Sequence, residues 1–145
     1  MFHFRLQHVL EVRERLERLK QKDYSLALLD WQTLVGEIDR RQVTLVRASE
    51  SVDSLKQTSP TALPLQLHAN YRRRLKAEIG RLREQVREQE QVLELKRKEL
   101  VESRRARRTL EILRDKQRVR YDQLQKRQER VTMDEVAANY HTFRA

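Results

Sequence analysis

A single frame of seven runs unbroken through the second half of the chain and limits what it can fold into. It holds Leu75, Leu82, Gln89, Lys96, Ser103, Leu110, Gln117, Leu124 and Val131. A companion set holds Ile79, Val86, Leu93, Leu100, Arg107, Arg114 and Tyr121. Eight consecutive heptads call for a long helix with a narrow apolar seam, the signature of a coiled coil. The polar members weaken the middle of that seam. The rest of the composition agrees: 37% of residues are charged, 6% are aromatic, and a mean hydropathy of −0.89 leaves little for a globular core. Disorder is the competing outcome of such a composition, and the periodicity argues against it.

The first part of the chain has no proline from Phe2 to Gln57, and its apolar residues recur at steps of three and four. Val9, Val12, Leu16, Leu19 and Leu26 form one predicted seam; Trp31, Leu34, Ile38, Leu45, Val52 and Leu55 form another. The change of phase between them predicts a stutter. Then Thr58-Ser59-Pro60-Thr61-Ala62-Leu63-Pro64 breaks the pattern, because proline removes an amide donor and disfavours helix before it. The expected layout is one coiled-coil domain over residues 1–145: a helix at about 2–57, a turn at about 58–64 and a helix at about 65–143.

A short turn favours antiparallel neighbours. Residues at one level then have indices summing to about 120, if the turn centres on Pro60. Leu45 meets Leu75, Ile38 meets Leu82 and Leu34 meets Val86. Further along, Leu26 is expected opposite Leu93, Leu19 opposite Leu100, Val9 opposite Leu110 and Leu6 opposite Leu113. The predicted fold is all-α, a two-helix antiparallel coiled-coil hairpin whose second helix projects past the N-terminus. Everything after Arg118 lies in that projection, about 38 Å at 1.5 Å per residue. It carries an apolar stripe of Tyr121, Leu124, Val131, Met133, Val136, Tyr140 and Phe143. Such a stripe gains nothing in a lone helix, so it either frays or inserts into a host. Gly36 and Gly80 fall near one level, as tolerated helix glycines or as a point of close approach or bending.

Charge is concentrated in the same region. Residues 1–60 carry 10 Lys/Arg against 9 Asp/Glu, whereas residues 61–145 carry 22 against 13. Residues 103–120 alone hold eight basic residues against Glu111 and Asp115. A basic collar at the base of an apolar projection suggests a plug for a pore with an acidic rim, and points to an acidic partner.

Catalysis finds little foothold. His3, His8, His68 and His141 have no metal-ligand spacing, and no glycine-rich loop is present to cradle phosphate. No cofactor is expected, and the chain is not expected to be an enzyme. It has no cysteine, so disulfides and thiolate metal sites are excluded. No apolar run reaches the roughly 20 residues of a membrane span, and no secretory signal opens the chain, so a cytoplasmic protein is expected. Trp31 sits on a seam and is expected to pack there. Tyr71, Leu75 and Ile79 share a helical face near the turn beside Arg72, Arg73 and Arg74, a composition suited to core packing or to protein binding. Arg104-Arg105-Ala106-Arg107-Arg108 allows nonspecific phosphate attraction, but no Asn accompanies it to read a base edge, so no specific nucleic-acid partner is expected.

Two segments resemble a known family. The opening Phe2-His3-Phe4-Arg5-Leu6-Gln7-His8-Val9-Leu10-Glu11-Val12-Arg13 looks like the start of flagellar FliJ proteins. Arg127-Gln128-Glu129-Arg130-Val131-Thr132-Met133-Asp134-Glu135-Val136-Ala137 is similar to their closing stretch. The resemblance covers the whole chain in length and layout, although the last seven residues are less basic than the family pattern. It implies a component of the flagellar type III export apparatus, similar in fold to the gamma-subunit shaft of rotary ATPases and peripherally associated with the inner membrane. The implied partners are the export ATPase hexamer, the cytoplasmic part of the membrane export gate, and export chaperones. Arg5, Arg118, Arg120, Tyr121 and Leu124 would then engage the ATPase, and Tyr71, Leu75 and Ile79 the gate. The equivalent stalk of a virulence injectisome and a generic basic coiled-coil scaffold or nucleic-acid-binding protein are the alternatives.

Overall fold

The computed structural model describes residues 1–58 and 61–143. Two long helices, α1 (Gln7–Thr58) and α2 (Ala62–Thr142), pack against each other, and no strand occurs among the described residues. The fold is all-α, as the periodicity requires. Two compact units divide the chain: Met1–Arg18 with Val101–Ala145, and Leu19–Leu100.

Both helices start elsewhere than predicted. α1 begins at Gln7 rather than Phe2. The residues before it form a coil and a turn, in which the Gln7 amide donates to the Phe4 carbonyl at 3.0 Å and Phe4 is buried. Burying an aromatic side chain offsets the helical turn given up to place it. α2 begins at Ala62, so Pro64 lies within its first turn, where a missing N–H costs no intrahelical bond. Of the predicted turn, Ser59 and Pro60 lie outside the described residues.

In the unit Leu19–Leu100, cross-helix partners run in opposite directions along the two helices. Lys20 meets Glu99, the Gln89 amide donates to the Ala27 carbonyl, Trp31 Nε1 donates to Glu90 and Arg41 pairs with Glu78. The helices are antiparallel here. In the other unit Glu17 meets Arg104 and Arg107, and Phe2 meets Tyr121. Index sums range from 116 for Ala27 with Gln89 to 124 for Glu17 with Arg107, around the predicted 120.

The heptad frame of α2 holds residue by residue. Every member from Leu75 to Tyr121, in both companion sets, is buried or half-buried, and exposure begins at Asp122. The predicted N-terminal seam of α1 does not hold. Val9, Val12, Leu16, Leu19 and Leu26 are all exposed, so the expected pairings of Val9, Leu19 and Leu26 with α2 are not made by those side chains. Leu10, Glu17, Tyr24, Trp31, Ile38, Leu45 and Val52 face inward instead, one heptad frame with no stutter. The reason is the partner helix. Lys96, Ser103, Arg107 and Arg114 occupy the α2 seam, so polar groups on α1 are needed opposite them, and Glu17 supplies one.

Gly36 and Gly80 sit mid-helix, and a Cβ on either would meet no atom within 4 Å. They are not points of close approach.

Candidate functional site: the N-terminal clasp and the helix beyond it

In the unit Met1–Arg18 with Val101–Ala145, the N-terminal coil closes against α2 at Tyr121. The Phe2 and Tyr121 rings lie 5.8 Å apart at 52°, and the Met1 ammonium donates to the Tyr121 hydroxyl at 2.9 Å. This tilted contact is a favourable aromatic geometry. Tyr121 is half-buried, so it belongs to the clasp rather than to the free apolar projection.

Beside the clasp is a cleft of about 260 Å³ lined by Phe2, His3, Phe4, Gln7, Arg114 and Arg118. Its walls are aromatic and its charged groups basic. Arg114 is held by Asp115 at 3.2 Å, whereas Arg118 has no ion pair among the described residues. The cleft has no signal in the apolar periodicity, which extends helix to Phe2, whereas Phe2, His3 and Phe4 form a coil.

The basic collar is narrower than the charge count suggests. Glu17 holds Arg104 and Arg107, Glu111 holds Arg107 and Arg108, Glu102 holds Arg105, and Asp115 holds Arg114. The hydrogen bond that Arg107 donates to Glu17, reinforced by one to Glu111, holds its guanidinium above its ordinary value against the opposing effect of burial. Burial pushes the Glu111 carboxyl up, but bonds from Arg108 and Arg107 outweigh it and leave Glu111 below its ordinary value. These arginines are engaged within the chain. Lys116, Arg118 and Arg120 have no acidic partner among the described residues and are exposed, as is Arg5 in the turn before α1.

Residues 122–143 are exposed throughout, and about 32 Å of α2 therefore lacks any cover. Leu124 and Val131 continue the seam face. Met133, Val136, Tyr140 and Phe143 recur at steps of three and four, but on a face turned roughly a third of a turn from it at 100° per residue. The predicted single stripe is thus two runs on different sides of one helix.

The expected ATPase-binding residues Arg5, Arg118, Arg120, Tyr121 and Leu124 all fall in this unit. The gate-binding set divides by burial within the other unit. Tyr71 is 46% exposed, whereas Leu75 and Ile79 are 4% and 5% exposed and belong to the core. Of the three, Tyr71 alone is exposed to a partner. Nearby Arg72 is half-buried, and its Nε has no hydrogen-bond partner.

Among the described residues no group of His, Asp or Glu side chains is arranged to hold a metal ion, and no helix is long and apolar enough to cross a membrane. No curated protein and no solved structure matches the chain. The sequence model of the family described as "Flagellar FliJ protein" matches residues 2–144, nearly the whole chain and including both the N-terminal clasp and the uncovered helix. The chain therefore belongs to the flagellar FliJ family, whose members are associated with flagellar type III export.

Proposed function

We propose that the protein is a central stalk of the export ATPase ring, with residues 122–143 inserted into the ring and Arg5, Arg118 and Arg120 meeting its acidic rim. The observation that carries this reading is the uncovered helix with apolar runs on two sides. A flat partner would cover one face and leave the other in water. A host that surrounds the helix covers both, which favours a pore over a groove. The unpaired cations at the base of the helix add charge complementarity with a carboxylate-lined entrance, and Tyr121 ties the N-terminal coil to that base. At the other unit, the Tyr71 surface is the proposed contact for the cytoplasmic part of the export gate, and export chaperones are the remaining proposed cargo. Membrane association then comes through these partners.

Mixing the full chain with purified export ATPase and measuring ATP turnover and hexamer formation tests the stalk. Stimulation is expected from the wild type, with a loss of about tenfold or more in half-maximal concentration for Arg118→Glu with Arg120→Glu. Leu124→Asp is expected to lower the maximal stimulation as well. An ATPase indifferent to the wild-type chain would remove the proposal.

A further inference from the structure

The start of α1 has an apolar face that its own unit leaves uncovered. Val9, Val12 and Leu16 are 44%, 52% and 39% exposed, and at 100° per residue they fall within an arc of about 60°. Arg13 lies on one border of this arc and Arg15 on the other. Both are exposed, and neither has an ion pair among the described residues. The acids of the same stretch are partly covered or engaged within the chain. Glu11, Glu14 and Glu17 are half-buried; Glu11 accepts from Gln7 and pairs with His8, and Glu17 holds Arg104 and Arg107. The Glu11 side chain is 42% exposed but engaged by Gln7 and His8, so the exposed charges of residues 7–18 that lack an acidic partner among the described residues, Arg13, Arg15 and Arg18, are basic.

We infer that this stripe is a docking face for an amphipathic helix of another protein, with apolar residues seated on Val9, Val12 and Leu16 and carboxylates paired with Arg13 and Arg15. The spacing i, i+3, i+7 is the one a partner helix reads along a groove or ridge. A ridge bordered by cations is complementary to one bordered by Asp or Glu. A second copy of this chain fits poorly, because it would bring Arg13 and Arg15 against their own counterparts. An anionic lipid surface also fits poorly, since interfacial helices insert aromatic and long aliphatic side chains, and here two valines and one leucine form the face. The inference stands apart from the stalk proposal, which uses α2 beyond the clasp.

The test uses the full chain and two labelled 21-residue peptides with leucine at heptad a and d positions. One peptide has glutamate at e and g, the other lysine, and binding is read by fluorescence anisotropy. The glutamate peptide is expected to bind and the lysine peptide not. Val12→Asn should weaken the glutamate peptide at least about tenfold, a typical effect of losing a central anchor. Val43→Asn, at an exposed valine in the other unit, should leave it unchanged. Arg13→Glu with Arg15→Glu should lose the glutamate peptide and gain the lysine one. That variant removes only four of the charges, from +10 to +6, so general attraction to a basic protein would survive it. Far-UV circular dichroism checks that each variant keeps its helices. Failure of the glutamate peptide to bind, equal binding of both peptides, or indifference to Val12→Asn would each overturn the inference. So would a self-association in sedimentation that Val12→Asn abolishes, or retention on phosphatidylglycerol vesicles with the same dependence.

Discussion

Glu17 and Arg107 occupy heptad positions that hydrocarbon usually fills, and this substitution reorients the first turns of α1. Half-buried charges must be paired, and Arg107 is satisfied by two carboxylates, Glu17 from α1 and Glu111 one turn along α2. A matched apolar pair avoids the desolvation of both ions. Replacing Glu17 and Arg107 together by leucine is therefore expected to stabilise the folded chain by about 1–2 kcal/mol in urea unfolding. Glu17→Leu alone should destabilise it, because Arg104 and Arg107 both lose their cross-helix carboxylate. A double variant weaker than wild type would show that the ion cluster contributes more than packing. The glycines give a simpler expectation. Open space surrounds both positions, so Gly36→Ala and Gly80→Ala should each add about 1 kcal/mol of stability, read from the same unfolding curves. A loss at either site would mean that the glycine serves a bend after all.

At the scale of the helices, α2 was legible and the start of α1 was not. The α2 frame from Leu75 to Tyr121 lines the helix contact although Gln89, Lys96, Ser103, Arg107, Arg114 and Gln117 interrupt its hydrocarbon. In α1, following apolar residues alone selects Val9, Val12, Leu16, Leu19 and Leu26, which face outward. The frame that packs admits Glu17 and Tyr24 and runs unbroken from Leu10 to Val52. The signal that could have found it was already in α2: a seam with Lys96, Ser103 and Arg107 demands polar partners at the levels of Glu17 and Lys20. The clasp was beyond the periodicity altogether, because Phe4 is buried from a non-helical segment. The cross-helix acids also set a pH dependence. Lys20 bonds hold Glu99 below its ordinary 4.5, and arginine bonds outweigh burial to lower Glu111. A carboxylate depressed on folding contributes stability above its unfolded value, which is lost as pH falls through its lower folded value. Thermal melts should therefore be flat from pH 7 to about 5 and fall below about 4.5. In Glu99→Gln with Glu111→Gln the acid-side fall should be smaller; an unchanged profile would assign it to other carboxylates.

For the whole molecule, stability and the proposed partner binding reside in different lengths of the same helix. Residues 122–143 are exposed throughout, so little or none of the free energy that holds α1 to α2 comes from them. Their helix persists because it extends one already nucleated by packing, and extension adds a hydrogen bond per residue without a new nucleus. A chain ending at Lys126 keeps Tyr121 and the clasp and loses both Val131 and the Met133, Val136, Tyr140 and Phe143 run. Its urea midpoint is expected within about 10% of the full chain, with the slope also kept, since slope follows the surface newly exposed on unfolding. Its molar ellipticity per molecule should fall by roughly the share of the missing helix. The same truncation should abolish stimulation of the export ATPase, because the apolar runs that need a surrounding host are gone. A truncated chain that unfolds at markedly lower urea would mean that the terminal helix folds back onto the rest in solution. One that still stimulates fully would move the ATPase contact to the clasp and its cations alone.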